Sequence, residues 1–232
     1  MIKYQFLCFL LLISMSCAKS DSDPIVPGNS AVGNCKVYRD CQQAYEGRFC
    51  TNGNKFGDNN QYKDHGVDLA GPMSKGNVVT YSFQSMGTYP TVFFGEFQSR
   101  TFGEIGSFAK DKIREAIAEW ESHIDIVFEE TTDQENSMLK IICADINDKA
   151  GIGYSTCTNM VCAEMVGYVF FKNSPVSPEN FYALALHEVG HALGLCHSSP
   201  DNIMSYNSNA YDYDTLQQGD IEGIISIYGA KK

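Results

Sequence analysis

The chain has 232 residues, of which 44% are hydrophobic, and its formal net charge is −11. This length suits one medium-sized domain with short additions, and the composition is that of a folded protein rather than a disordered one. Such an acidic chain lacks the clustered basic surface that a phosphate backbone requires, so we expect no nucleic acid partner.

Residues 1–17 are typical of an export signal. Lys3 precedes an apolar run at residues 6–13, which is too short to span a bilayer. Ser16 precedes Cys17 in a pattern that resembles a bacterial lipobox, although the leucine usual three residues before the cysteine is missing. We expect a lipid anchor at Cys17, the chain's only membrane contact, and a position in the outer membrane or on the cell surface. Simple cleavage followed by secretion is the alternative.

Three further segments are expected after the leader. Residues 18–34 are rich in Ser, Asp, Pro and Gly and predict a flexible tether. Residues 35–75 carry three cysteines but too few apolar residues for a core, which predicts a pro-segment or a small module. Residues 76–232 contain the periodic apolar patterns and predict the main domain.

Regular elements follow one another through this predicted domain. Strands are predicted where apolar residues alternate or run together, and helices where they recur every three or four residues. In chain order we expect a strand at 78–83, a helix capped by Ser107 with an apolar stripe from Phe108 to Trp120, and strands at 124–128 and 139–146. A loop containing Gly and Cys, a strand at 166–171, a long helix from Ser177-Pro178 to about Leu193, and a helix at 216–228 complete the prediction.

The long helix carries the sequence His-Glu-Val-Gly-His at residues 187–191. Side chains four residues apart share a helix face, so both imidazoles can reach one ion. Gly194 can take the positive φ that ends the helix, and His197 can then return to complete three nitrogens. Three neutral ligands leave Zn²⁺ an open position for water, as in catalytic sites. We therefore expect one catalytic zinc at His187, His191 and His197.

Glu188 follows the first of these ligands and can act as a general base. We expect it to take a proton from zinc-activated water as the water attacks a peptide carbonyl. The alternatives are a structural helix whose histidines satisfy backbone groups, and a zinc site without catalysis. The full eleven-residue pattern is much more specific than His-Glu-x-x-His alone, which favours the catalytic interpretation.

Residues 187–197 resemble the signature of the metzincins, and Met204 resembles the methionine of the turn that follows it. The interval of seven residues from His197 to Met204, together with Ser198, resembles the matrixin branch. Residues 113–130 and 216–229 are similar to a helix and strand and to the last helix of a matrixin catalytic domain.

The resemblance implies an α+β zincin fold. Its sheet would be twisted and mostly parallel, with about five strands and an antiparallel edge strand, beside an active-site helix and a C-terminal helix. It also implies a zinc-dependent metalloendopeptidase that acts on protein or peptide substrates, here expected to be a monomer. Met204 would form an apolar floor beneath the histidines, and Asp220 would be the buried partner of its turn.

The chain departs from the matrixin pattern upstream of the active site. Matrixins usually hold a second, structural zinc there, but residues 145–171 contain no histidine, so we expect that zinc to be missing. Cys157 and Cys162 could brace this loop as a disulfide, or they could remain thiols. Calcium is a further candidate cofactor, and the alternative is a solvated turn that binds no ion. Its candidate ligands are Asp145, Asn147 and Asp148.

Two residues near the motif have open roles. Tyr206 resembles a tyrosine that reaches the zinc in serralysins and astacins, and packing in the pocket wall is the alternative. Cys196 adjoins His197, and we expect it to pack or to pair with Cys143 rather than to act in catalysis.

The mechanism of latency and the function itself each have alternatives. Matrixins often block the zinc with a pro-segment cysteine, although no stretch here resembles their usual switch motif, and a disulfide-linked appendage that never touches zinc is the other interpretation. The candidates for a blocking residue are Cys35, Cys41, Cys50, Asp40, Asp64 and Asp68. A metzincin-fold surface lipoprotein that binds without catalysis, or an inhibitor module, is the alternative to an enzyme, and the intact Glu188 favours the enzyme.

Overall fold

The computed structural model describes Phe49, Phe56 and residues 78–91, 95–157, 165–198, 200–205 and 212–232. The expected leader, the tether and the three cysteines of residues 35–75 lie outside this part of the chain. None of the helices that are described is long and apolar enough to cross a membrane.

Seven strands and three α-helices make up the described part. The strands are β1 (Val78–Phe83), β2 (Thr88–Thr91), β3 (Gly95–Gln98), β4 (Val127–Glu130), β5 (Leu139–Ala144), β6 (Gly151–Cys157) and β7 (Met165–Lys172). The helices are α1 (Ala109–His123), α2 (Pro178–Ala192) and α3 (Gln218–Tyr228), and a short 3₁₀ helix covers Phe102–Glu104.

Five of the strands form one sheet in the order β4-β1-β5-β7-β6. Neighbours pair in parallel from β4 to β7, and β6 pairs antiparallel with β7 over its whole length. Helices can cover a parallel sheet because each crossover between parallel strands crosses one of its faces. The expected α+β fold, with a mostly parallel sheet and an antiparallel edge strand, is confirmed.

Side chains alternate between the two faces of the sheet along each strand, and a different group of residues packs against each face. Ile141, Val169 and Phe171 face the main core with α1 and α2. Ile142 and Phe170, which lie one residue away along the same strands, face a second cluster beneath the β2–β3 hairpin. The main core also includes Phe56, which is 1% exposed, from the segment expected at residues 35–75.

Local details differ from the prediction at three places. Helix α1 begins after Phe108, whose backbone is already helical, so Ser107 lies outside the cap position that we expected for it. The strand expected at 124–128 begins only at Val127, because Ile124 bridges to Ala230 instead. The expected loop before β7 contains β6, since pairing with β7 overrides the weak strand preference of its glycines.

Candidate metal centre

Helix α2 begins where the sequence predicts. Ser177 has an extended backbone, and its side chain accepts a hydrogen bond from Asn180 N at 3.3 Å, while Pro178 opens the first turn. The serine thereby satisfies an amide that has no partner within the helix. Because α2 continues without a break, His187 and His191 lie one turn apart on the same face.

A glycine turn follows α2 and reverses the chain. Gly194 has a φ of 113°, a left-handed value that glycine adopts without strain, and this confirms the expectation. Leu195 N donates to Gly190 O at 3.0 Å, which closes the turn against the last residues of the helix. The chain that leaves this turn therefore passes close to the face that carries His191.

Three imidazole rings converge at this point. The Nε2 atom of His191 lies 3.1 Å from Nε2 of His187 and 3.2 Å from Nε2 of His197. One ligand atom from each ring lies within 4.8 Å of the others, so the three could hold a metal ion.

Backbone carbonyls orient two of these rings. His187 Nδ1 lies 2.7 Å from Ile203 O, and His191 Nδ1 lies 2.8 Å from Leu195 O. A carbonyl only accepts hydrogen bonds, so each Nδ1 carries the proton and each Nε2 presents a lone pair to the centre. Burial lowers the pKa of His187 and, more strongly, that of His191, which favours the neutral rings. Three neutral nitrogens are a donor set that fits zinc.

Glu188 follows the first of the three histidines on α2, and its side chain is buried. The residue is 6% exposed, and burial raises the pKa of its carboxyl to about 8, while the Gly153 N–H and the charge of Lys149 act in the opposite direction. A Cβ at Gly153 would come within 1.9 Å of Glu188 O, and one at Gly151 within 2.6 Å of Glu188 Cγ. Glycine at these two positions is therefore what lets the edge strand lie directly against the helix.

Met204 packs beneath the helix that carries the histidines. It is 1% exposed, and a Cβ at Gly190 would come within 2.5 Å of its Sδ and 2.9 Å of Trp120 Cζ2. Trp120 Nε1 donates to Leu186 O at 3.0 Å, so the indole satisfies its polar group while fully buried. Gly190 leaves the space that both large side chains occupy.

Asp220 holds the turn that contains Met204. Its carboxylate accepts from Ile203 N at 2.9 Å, Met204 N at 3.1 Å and Gln217 N at 2.9 Å, and the residue is 1% exposed. Burial raises the pKa of this carboxyl in spite of the three amide donors. The expected contact between Asp220 and the turn is confirmed, and since Ile203 O bonds to His187, Asp220 also helps to orient that ring.

Comparison with known proteins agrees with this geometry. The family model described as Matrixin matches residues 168–229, which include all three histidines. Interstitial collagenase from Sus scrofa is 47% identical over 51 residues, which cover 22% of this chain and 11% of that protein. Metalloendoproteinase 1 from Glycine max is 32% identical over 138 residues, or 52% of this chain and 45% of the relative. Matrilysin from Felis catus is 47% identical over 55 residues, covering 22% and 21%.

The C-terminal part of this chain is a matrixin-like domain. The chain spans less than half the length of each of these relatives, and the shared segment is about a tenth of the pig collagenase.

Two cysteines of the matrixin-like domain correct an expectation. Cys143 on β5 is a free, buried thiol whose Sγ donates to Thr101 O at 3.4 Å, and burial raises its pKa to about 12. Cys196 is disulfide-bonded. The expected pairing of Cys196 with Cys143 is therefore wrong, and the partner of Cys196 lies outside the described side chains.

Other predicted residues are not tested. Tyr206, Cys162 and the side chain of Cys157 lie outside the part of the chain that is described. Asp145 lies 4.0 Å from Arg100 in an exposed ion pair, and calcium at its loop stays a prediction.

Sequence reasoning placed the rim of the site near residues 152–157 but predicted a loop there, and it missed the close packing of β6 on α2. The sequence Gly-Ile-Gly-Tyr at residues 151–154 alternates glycine with large apolar residues. Ile152 and Tyr154 lie in the second cluster, on the face of the sheet away from α2, and both glycines face the helix. This period of two was a readable signal for a strand that packs closely on one side.

Proposed function

We propose that this protein is an exported zinc endopeptidase, in which His187, His191 and His197 hold the metal and Glu188 is the general base. The observation that carries the proposal is the convergence of three Nε2 atoms, together with the buried carboxylate of Glu188, which directly follows one of these histidines in the chain. The matrixin-like character of residues 168–229 supports the same conclusion.

Each group has a defined role in the proposed reaction. Zinc at this site would polarise the scissile carbonyl and lower the pKa of water. The Glu188 carboxylate takes the proton from the attacking water and passes it to the leaving amine nitrogen. The Gly153 N–H holds that carboxylate in place, and the buried Met204 keeps the floor under the histidines apolar.

The edge strand offers a surface for an extended substrate. Among the described strands, β6 has a sheet neighbour on one side only. A peptide can pair with such an exposed edge through its main chain and need not have a fixed sequence. Because Gly151 of β6 lies against the side chain of Glu188, a peptide paired with this edge would pass close to the carboxylate.

We further propose that the protein works outside the cytoplasm as a monomer. The leader sequence supports export, and Cys17 would carry a lipid that holds the protein at the outer membrane or cell surface. Secretion without the lipid would leave the proposed chemistry unchanged.

The test is cleavage of casein or gelatin by the exported protein, with and without a zinc chelator, beside Glu188→Ala. We expect cleavage by the wild type, its loss with chelator, its return when zinc is added, and no cleavage by the variant. Glu179→Ala, in the first turn of the same helix, is the matched control and should cleave like the wild type. Cleavage by Glu188→Ala at the wild-type rate would reject the mechanism, and zinc binding without any cleavage would favour the surface-binding alternative.

A further inference from the structure

We propose that a cavity beside the start of β6 is a specificity pocket for an acidic side chain of the substrate, and that Lys149 recognises the carboxylate of that side chain. The inference rests on the endopeptidase proposed above and deepens it, because it names the chemistry of the segments that the protein would cleave.

The cavity has a volume of about 310 Å³ and lies between α2 and two loops. One loop, residues 148–150, leads into β6, and the other, residues 174–176, lies between β7 and α2. Phe181 and Leu184 of α2 are buried and line its inner side. Ser174 and Asn180 line it from exposed positions, so the cavity is open to solvent. A ligand can therefore enter it without a rearrangement of the fold.

The cavity adjoins the proposed catalytic carboxylate. Ala150 lines it and directly precedes Gly151, whose Cβ would come within 2.6 Å of Glu188 Cγ. Leu184 lies four residues before Glu188 on α2, which is about 6 Å along the helix axis. An extended peptide advances about 3.3 Å per residue. A peptide paired with β6 would therefore bring a side chain to the cavity within about three residues of its scissile bond.

The charge at the cavity is opposite to that of the whole chain. Lys149 and Lys172 line it against one carboxylate, that of Asp148, while the net charge of the chain is −11. Lys149 also lies close enough to Glu188 for its charge to act on that carboxyl. A local positive charge on an otherwise acidic surface favours an acidic segment of the substrate over a basic one.

The lining suits a side chain with an apolar stem and a charged end. The stem of a glutamate can pack on Phe181 and Leu184, and its carboxylate can accept from the ammonium of Lys149. Lys172 Nζ donates to Asn147 O at 2.7 Å, which fixes the loop that carries Lys149. Apolar walls with a few polar groups that set the orientation are the usual composition of a specific pocket.

The first test measures cleavage of one casein-derived peptide in which each position in turn carries Glu, Gln, Lys or Leu. Within three residues of the scissile bond we expect one position at which Glu raises kcat/KM about 3- to 10-fold over Gln. This preference should shrink in about 0.5 M salt, which screens exposed charges. Cleavage without a preference for Glu at any of these positions, or with a stronger preference for Leu, would overturn the proposal.

The second test repeats this comparison with variants of Lys149. In Lys149→Gln the preference for Glu over Gln should fall below about 2-fold, and Lys149→Glu should favour Lys over Glu at the same position. Each result is a ratio of two substrates on one variant, so a change in overall activity does not affect it.

Lys231→Gln is the matched control for the loss of one positive charge. Its Nζ donates to Glu121 O at 3.2 Å on α1, away from the residues that line the cavity, and the preference for Glu should stay at the wild-type value. A preference for Glu that survives in Lys149→Glu, or that Lys231→Gln reduces as strongly, would overturn the role of Lys149.

Peptide binding, measured by fluorescence anisotropy, separates this proposal from the proposed function. If the wild type cleaves no peptide but binds a Glu peptide more tightly than its Gln counterpart, and Lys149→Gln removes the difference, the endopeptidase proposal fails and the pocket stands. If the wild type cleaves Glu and Gln peptides equally well, the pocket fails and the endopeptidase stands. Neither cleavage nor a difference in binding would overturn both.

Discussion

Two buried carboxylates are linked to the histidine motif, Glu188 as the chain neighbour of His187 and Asp220 through the turn that contains Met204, and their surroundings differ. Asp220 accepts three backbone N–H groups, from Ile203, Met204 and Gln217. Glu188 receives the Gly153 N–H, and its side chain lies against Gly151 of the edge strand. Burial raises the pKa of both carboxyls. Burial alone therefore does not distinguish a catalytic carboxylate from a structural one.

The partners of each carboxylate make the distinction. Amides from two separate segments surround Asp220 and fix the methionine turn to α3, so its hydrogen bonds serve the fold. Glu188 follows the histidine at position 187 in the chain and receives one backbone N–H, from Gly153, and a carboxylate can accept further hydrogen bonds. In the proposed mechanism the attacking water would use that remaining capacity. Substitution at the two positions should consequently separate activity from stability.

The largest effect is expected at Glu188. Glu188→Gln keeps the shape of the side chain but cannot take a proton, so kcat/KM for a peptide should fall about 10²- to 10⁴-fold. Zinc content and the melting temperature should stay near wild-type values. Glu179→Gln on the same helix is the control. If Glu188→Gln retained more than about a tenth of the wild-type kcat/KM, Glu188 would not be the general base, and the proposed distinction between a catalytic and a structural carboxylate would be wrong.

Asp220→Asn should act on stability instead. An amide accepts through one oxygen only, so at least one buried N–H of the methionine turn loses its partner, at a cost of about 2–3 kcal/mol. Urea unfolding should show this loss, while Glu222→Gln, a partly exposed position on the same helix, should change stability by less than about 0.5 kcal/mol. If Asp220→Asn kept the wild-type stability but lost activity, Asp220 would have a catalytic role, contrary to this prediction.

Gly153→Ala tests how closely the edge strand must approach Glu188. The new Cβ would lie 1.9 Å from Glu188 O, so β6 must move away, and we expect a cost of about 1–3 kcal/mol together with reduced activity. Gly87→Ala is the control, because its Cβ would meet only ordinary contacts with Tyr89 at 3.6 Å or more. If Gly153→Ala keeps full activity, the carboxylate does not depend on β6.

The smallest effect is expected at a third carboxylate, Glu119, whose hydrogen bonds lower its pKa more than burial raises it. Burial alone would raise the pKa of Glu119, but hydrogen bonds from Thr215, Tyr182 and Leu216 hold it below its ordinary value. The ionised form therefore stabilises the fold above the ordinary pKa of glutamate, and this contribution is lost as the pH falls through the lower pKa of the folded state. Urea midpoints of the wild type and Glu119→Gln should converge between pH 7 and pH 3. A gap that is the same at both pH values would contradict this assignment.

Features with a local signal were predictable from the sequence. Ser177 and Pro178 mark the start of α2, and Gly194 marks the turn after it. The spacing of His187 and His191 follows from the helical period, and the return of His197 follows from that turn, so neither needs knowledge of the rest of the fold. The mostly parallel sheet followed from the resemblance that this motif and Met204 established.

Features that depend on distant contacts were not predictable. The sequence allows a disulfide between Cys143 and Cys196, but the positions of cysteines in the chain do not show which thiols meet in the fold. The strand β6 is set by its pairing with β7, and its glycines weaken the local preference. Phe56 packs in the main core, whose other described residues all lie at Val79 or later in the chain. The segment around Phe56 has few apolar residues, so its sequence gave no sign that one of them is buried in that core.

The proposed zinc site is tested most directly by elemental analysis and zinc-edge X-ray absorption of the full chain. We predict one zinc per chain, with three nitrogen ligands at about 2.0–2.1 Å, and loss of one nitrogen ligand in His197→Ala. A protein that holds no zinc, or a zinc with fewer than three nitrogen ligands in the wild type, would contradict it.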